Sequence, residues 1–291
     1  MEGILNILKP PGMTSSNVVA DVKKLTGIKR VGHMGTLDPG AAGVLPICLG
    51  RATRLFDIFQ EKEKAYTAEI AFGIATDTQD SYGAVVARDD KTIGEDAFAA
   101  ALQGFSGDYA QVAPAYSALK EGGRPLYAIA REGGSVPSRT RTVRIYGATY
   151  IAQTGPNRFL FSVTCSRGTY VRTLCADIGE RLGTYAHLSF LLRTAAGPFR
   201  IEDTHTLAEL TEKKDAGHLA QAVISVESAL GFLPAFTVVN DRLAARLKNG
   251  CAIPLPEGAI KEGLCRVYTD AFLGVAQAAA GACKMKLFFN G

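Results

Sequence analysis

The stretch Val31-Gly32-His33-Met34-Gly35-Thr36-Leu37-Asp38-Pro39-Gly40-Ala41-Ala42-Gly43-Val44-Leu45-Pro46 decides how the rest of this chain is read. Four glycines, two prolines, one acid and one imidazole sit among apolar residues. That composition suits a strained loop beside a core better than a helix or a surface linker. Pro39 fixes its own φ and biases Asp38 toward an extended backbone, so covalent geometry holds the carboxylate out from the chain. A lone nucleophile can be presented this way. An ordinary Asx turn at Asp38-Pro39-Gly40 would use the same residues, and the remaining sequence has to decide between the two.

Upstream of the loop, residues 3 to 8 form an apolar run suited to a buried strand, broken by Lys9-Pro10-Pro11-Gly12. Thr14-Ser15-Ser16 offers capping oxygens to a helix with Val18, Val19, Val22 and Leu25 at helical spacing and Gly27 at its end. Downstream, Tyr66 to Phe72 alternates like a strand, and Thr76 to Gly83 is a polar turn leading to Ala84-Val85-Val86, a pattern of antiparallel sheet. Ile93, Phe98, Ala101, Leu102 and Phe105 mark a second amphipathic helix closed by Gly104 and Gly107. Val143 to Ile151 and Arg158 to Cys165 read as a hairpin turned at Gly155-Pro156-Asn157. Ser166 to Tyr170 then opens a helix with Val171, Leu174, Cys175, Ile178 and Leu182 on one face, which puts Arg172 in its first turn. A guanidinium there, beside free backbone N–H groups, suits a carboxylate or a phosphate. A surface arginine on an amphipathic helix would look the same.

With 291 residues, 47% hydrophobic and 21% charged, the chain can bury a sizeable core as one large domain plus a small one. The boundary is expected near residue 233, giving domains 1–232 and 233–291. In the second, Asn240 caps a short helix ending at Gly250, followed by strand-like runs from Leu264, Phe272 and Lys284. The six cysteines form no CxxC pair and the four histidines do not cluster beside them, so neither a zinc site nor a disulfide framework is indicated. Reduced thiols in a cytosol account for them. The start lacks the basic and apolar segments of an export signal, and no run approaches a membrane span. Net charge is +4, and between Lys120 and Arg144 six basic residues face two acidic ones, a local excess equal to that of the whole chain. Within 111–144 lie Pro114, Gly122-Gly123, Pro125, Gly133-Gly134 and Pro137, with Tyr116 and Tyr127. This reads as a long irregular excursion, a basic arm for nucleic acid in preference to a plain surface loop. Lys23, Lys24, Lys29 and Arg30 add a second basic group just before the Asp38 loop.

Seven segments, taken in order, resemble the TruB family of tRNA pseudouridine-55 synthases. They are Lys9–Gly12, Gly32–Pro39, Lys64–Tyr66, Thr76–Asp80, Pro114–Lys120, Ser166–Arg172 and His187–Thr194. Each alone is weak, whereas seven in sequence along nearly the whole chain are specific, and they settle the reading of Asp38 against a mere turn.

The resemblance implies an α+β pseudouridine synthase fold, a mixed, largely antiparallel sheet flanked by helices, with a small, mostly β, PUA-like RNA-binding domain from residue 233. It implies isomerisation of a uridine in the T arm of tRNA, without cofactor or metal, by a stand-alone cytoplasmic monomer with no membrane or obligatory protein partner. Guide-RNA-dependent relatives are the second enzymatic reading, but they generally lack an insertion like 111–144. A tRNA escort protein is the reading from another class. By the same resemblance Asp38 is the catalytic acid, Arg172 its ionic partner and Tyr66 the phenol that lies against the flipped base and handles the C5 proton. Tyr170 and Leu191 wall in that base, His33 holds the extruded nucleotide, and Asp80 serves the substrate pocket from the polar turn. Lys9, Lys120, Arg139, Arg141 and Arg144 are the RNA-binding bases, the last four on the thumb-like insertion. Two positions depart from the family pattern. Gly40 replaces a bulkier aliphatic residue, which predicts a looser loop, and Leu192 replaces an arginine.

Overall fold

The apolar run at the start becomes strand β1 (Gly3–Lys9), in which every residue but Leu8 is buried. A strand buried on both faces belongs inside a sheet. The computed structural model of the chain describes residues 1–117, 119–134, 137–255, 260 and 262–289, and shows β1 within a ten-stranded sheet. The other strands are β2 (Val31–His33), β3 (Ala42–Leu49), β4 (Lys64–Phe72), β5 (Gly107–Val112), β6 (Thr140–Gly155), β7 (Arg158–Cys165), β8 (Ala186–Ala196), β9 (Phe199–Arg200) and β10 (Val223–Ile224). Their order is β10-β1-β3-β8-β4-β7-β6-β5, with β2 on β3 and β9 on β8. The fold is α+β, and the sheet is mixed but largely antiparallel, as the sequence implied.

The parallel pairing in this sheet is short, Leu192 with Ala42 and Arg193 with Gly43, where β3 meets β8. At that seam the two backbones approach so closely that a Cβ on Gly43 would collide with the backbone of Arg193. Its φ of +112 also excludes ordinary side chains, so glycine is required twice over. The Asp38 loop, residues 34–41, joins β2 to β3 directly beside the seam.

Helices cover the sheet as their caps and spacing dictate. Thr14 accepts a hydrogen bond from the Asn17 amide, Ser15–Thr26 follows with Val18 and Val22 buried, and Gly27 closes it at φ +69. Glu95–Gln103 buries Phe98 against Phe159, with ring centroids 5.0 Å apart. Val171–Arg181 carries Arg172 in its first turn. One core cluster lies under the last two helices, a second under Ser15–Thr26, and Tyr66 and Leu191 pack against both.

Three expectations need correction. Strand β8, left without an element by sequence patterning, runs through the sheet's interior; its ends are buried while its middle is half-buried with Phe190 exposed, so no two-residue alternation marks it. Strand β6 starts at Thr140 and runs to Gly155, longer at both ends than Val143–Ile151. The stretch 111–144 is less irregular than its glycines and prolines imply. It holds a two-residue ladder, Lys120–Glu121 with Arg124–Pro125, and a helix Leu126–Arg131 whose Leu126 is buried.

Residues 235–288 build a five-stranded sheet with helix Asp241–Lys248 capped by Asn240. Cys265, Val267, Leu247 and Met285 pack within it, while Phe272, Val275 and Phe289 join a core with Phe59, Phe199 and Leu230. The small sheet is therefore seated on the large one. Among the described residues, no helix is long and apolar enough to cross a membrane.

Candidate active site

The loop that carries Asp38 is held from below by two buried cations. Lys9, fully buried at the end of β1, donates through Nζ to the carbonyls of Pro10, Pro39 and Ala41 at 2.8, 3.2 and 2.7 Å. Arg193, 2% exposed on β8, donates Nε to Val44 O at 2.7 Å, with its terminal nitrogens reaching Thr36 O and Gly35 O at 3.3 and 3.2 Å. Ser15 Oγ accepts from the amide of Leu37 and donates to its carbonyl. Carbonyls on both sides of Asp38 are thus fixed by charge-assisted hydrogen bonds, which leaves the carboxylate pointing up and 44% exposed.

Above it stands Arg172, with Nε 3.3 Å from Asp38 Oδ2 and a side chain 4% exposed. Its terminal nitrogens donate to Thr78 O at 3.1 Å and Tyr116 O at 2.6 Å. Nε makes the ionic contact without an aligned hydrogen bond, so this edge of the guanidinium keeps a free donor direction. Tyr170, the residue before the helix, has both backbone groups bound by the buried side chain of Gln111 and its ring flanked by the guanidinium carbons of Arg141 and Arg172 at 5.3 and 5.6 Å.

Tyr66 lies on β4 opposite Arg193 on β8. Burial pushes its phenol up to about 12, the charge of Asp38 adding to the rise and Arg193 opposing it, so the hydroxyl stays a proton donor throughout the ordinary pH range. Leu191 packs alongside on β8 against the same two core clusters. His33 ends β2 with its Nδ1 buried and without a hydrogen-bond partner. Burial and then the charge of Arg193 hold its imidazole below the ordinary value of 6.5. The unfolded chain takes up a proton on residue 33 near pH 6.5 that the fold resists, so stability is intact above that pH and declines as pH falls through it. The loss of Tm between pH 7.5 and 5.5 should be smaller in His33→Gln than in wild type, and equal losses would refute this.

Asp80 uses Oδ1 within its own turn, accepting from Thr78 Oγ1 at 2.6 Å and from the Tyr82 amide at 3.0 Å. It shapes the turn whose Thr78 carbonyl holds Arg172. The basic positions divide. Lys9 is not an RNA contact, because it is fully buried with its ammonium spent on three loop carbonyls; that expectation is corrected. Arg139 and Arg144 are exposed but paired with Glu121 and Asp108, the second pair at 2.6 Å. Arg141 reaches Gly168 O and the Tyr170 ring, while the side chain of Lys120 lies outside the described residues. Sequence reasoning missed Arg193 altogether. Gly40, expected to loosen the loop, instead has the ring of Tyr82 seated where its side chain would be. Among the described residues, no group of three or more His, Cys, Asp or Glu side chains is arranged to hold a metal ion.

The geometry assembles one carboxylate, one guanidinium and one phenol at the join of two core clusters, and comparisons with known proteins address what such a site does. Residues 23–171 match the model of the TruB family pseudouridylate synthase N-terminal domain. Residues 172–231 match a tRNA pseudouridylate synthase B C-terminal domain, and 237–286 a pseudouridine synthase II TruB C-terminal domain. A protein of Geobacillus thermodenitrificans named tRNA pseudouridine synthase B is 44% identical over 265 residues, 88% of this chain and 87% of that one. One of the same name from Symbiobacterium thermophilum is 48% identical over 257 residues, 87% and 83% of the two chains. Among solved structures, a chain in the structure of an H/ACA RNP bound to a substrate RNA containing 2'-deoxyuridine aligns with TM-score 0.76 and 26% identity, over 99% of this chain and 85% of that one.

Proposed function

The chain belongs to the TruB family of pseudouridylate synthases, and from that premise we propose that it isomerises uridine 55 in the T arm of tRNA to pseudouridine. Substrate and product are isomers. The N1–C1′ bond breaks, a C5–C1′ bond forms, the C5 proton leaves and N1 ends protonated, with nothing exchanged with a cofactor. The task for the protein is to extrude the uridine from folded RNA, open the glycosidic bond and keep the freed base in place while it turns. Asp38 opens the reaction, whether by adding to base or ribose or by taking the C2′ proton, since each route begins from the same carboxylate. Arg172 keeps that carboxylate aimed, Tyr66 and Leu191 form the floor under the base, and Tyr170 and His33 bound the extruded nucleotide. Tyr66 is protonated across the working range, so it handles the C5 proton as a relay: its oxygen takes that proton as its own hydroxyl proton passes on, to N1 or to solvent.

The observation that carries this reading is the Asp38–Arg172 contact, set on a loop whose backbone carbonyls are fixed on both sides. We assign residues 1–232 to the catalytic domain and 233–291 to a PUA-like RNA-binding domain, the insertion 111–144 closing over the T loop. The enzyme acts in the cytoplasm as a monomer without guide RNA or an obligatory protein partner. Its test is incubation of purified protein with unmodified tRNA transcript, no guide RNA and EDTA present, with pseudouridine mapped by position. A single new pseudouridine at position 55 is expected; none at that position overturns the reading.

The basic insertion gives a second measurement. Arg139 and Arg144 must exchange their carboxylate partners for phosphates when RNA arrives. Replacing Arg139, Arg141 and Arg144 by Gln should weaken tRNA binding and make the slope of log affinity against log salt shallower by roughly 2, for three phosphate contacts. An unchanged slope removes the arm from the account.

A further inference from the structure

We propose that Tyr82 is a stacking platform for an unpaired nucleobase of the substrate RNA immediately beside the nucleophile, an addition that rests on the pseudouridine synthase reading of the same site. Tyr82 is 72% exposed, the most exposed aromatic residue among those described. It is also firmly placed. Its ring lies against Gly40, two residues after Asp38, in the space that a side chain at position 40 would need. Its amide donates to Asp80 Oδ1 at 3.0 Å, and the turn is tied down on either side, by Ser81 N to Leu188 O at 3.1 Å just before it and by Ala84 N to the carboxylate of Asp77 at 2.8 Å two residues after it. The same turn lends Thr78 O to Arg172, the partner of Asp38. Tyr82 is therefore linked to the nucleophile along the chain through Gly40 and across the cleft through Arg172.

A large aromatic left in water at the rim of a buried site, on a turn already ordered, offers a π-face at little cost in conformational entropy. Recognition of folded RNA loops uses such faces to catch bases that have left the stack. Extruding one uridine from the T loop breaks stacking on its neighbours, and the ring over Gly40 stands where one of those neighbours can restack. Gly40 and Tyr82 then form a matched pair: the glycine provides the seat, the tyrosine the surface. Any side chain at position 40 would push the ring off the loop.

The experiment compares tRNA affinity, KM and the single-turnover rate at saturating tRNA for wild type, Tyr82→Ala, Tyr82→Phe and Tyr82→Leu. Alanine should raise Kd and KM about tenfold, with the saturating rate within about threefold of wild type, the size of one lost base–aromatic stack. Phenylalanine should restore affinity because the ring is what acts, whereas leucine, apolar but without a π-face, should not. Gly40→Leu should reproduce the alanine phenotype in the wild type and add nothing to it in the Tyr82→Ala background. An affinity in Tyr82→Ala within about twofold of wild type overturns the proposal; so does a phenylalanine variant as weak as alanine. Failure of the functional reading looks different, since wild type itself would then make no pseudouridine at position 55.

Discussion

Replacement of Asp38 by asparagine should abolish pseudouridine formation while tRNA still binds within a few-fold of wild type. The two side chains have nearly the same shape, and the loop beneath is anchored by groups other than the carboxylate, namely Lys9, Arg193 and Ser15. The guanidinium of Arg172 keeps its carbonyl partners on Thr78 and Tyr116, so the cleft retains its outline without the charge. What disappears is the one anionic oxygen set to attack. Loss of a positioned nucleophile costs at least about four orders of magnitude in rate. Single-turnover conversion of a tRNA transcript, paired with an affinity measurement, tests both halves. A residual rate within about tenfold of wild type would move the chemistry to another group. Parallel loss of binding would recast Asp38 as an anchor, and a tRNA escort would keep its whole function in the variant.

Pro39 made an extended, outward-held Asp38 legible as a local effect, but a plain Asx turn would use the same residues, and it was the seven family-like segments that decided between the two. The helix at Ser15–Thr26 was equally visible, since Thr14 and Gly27 are punctuation that acts within one turn. Lys9 and Arg193 were not visible in their true roles. A lysine beside two prolines reads as a solvated base because lysines are rarely buried, and only the pairing of β1 with β3 shows that its ammonium ends beneath the Asp38 loop. Arg193 sits in Leu191-Leu192-Arg193-Thr194 on a strand without alternation, and its acceptors lie about 150 residues earlier in the chain. The elements in 111–144 escaped for a different reason. Ladders of two residues and a helix of six are set by context more than by pattern. The site was thus readable where a family-like motif marks it, and unreadable where a strand crossing brings distant groups together.

Arg193 supplies the second large effect. Replacing it with leucine keeps an apolar stem of fitting size and removes the group that, among the described residues, reaches Gly35 O, Thr36 O and Val44 O together. Those carbonyls lose a charged donor in a place where water enters poorly, which costs about 3 kcal/mol in total after partial relaxation of the loop. One effect works the other way. The charge of Arg193 pushes against Lys9 and Lys64, each held down at about 8 chiefly by burial, and against His33. Its removal relieves these groups, so the net loss stays below the sum of three broken bonds. A fall in Tm of roughly 5 °C follows for a chain of this size. The kinetic signature separates support of the loop from general weakening. The carboxylate of Asp38 would wander by an ångström or so relative to Arg172, which costs on the order of a hundredfold in kcat, while the RNA contacts of the insertion hold KM close to wild type. Arg193→Lys restores charge but spans fewer carbonyls, and it should fall between the two. If the leucine variant, folded at 25 °C, turned over tRNA at the wild-type kcat, the buried arginine would have no part in aiming the nucleophile.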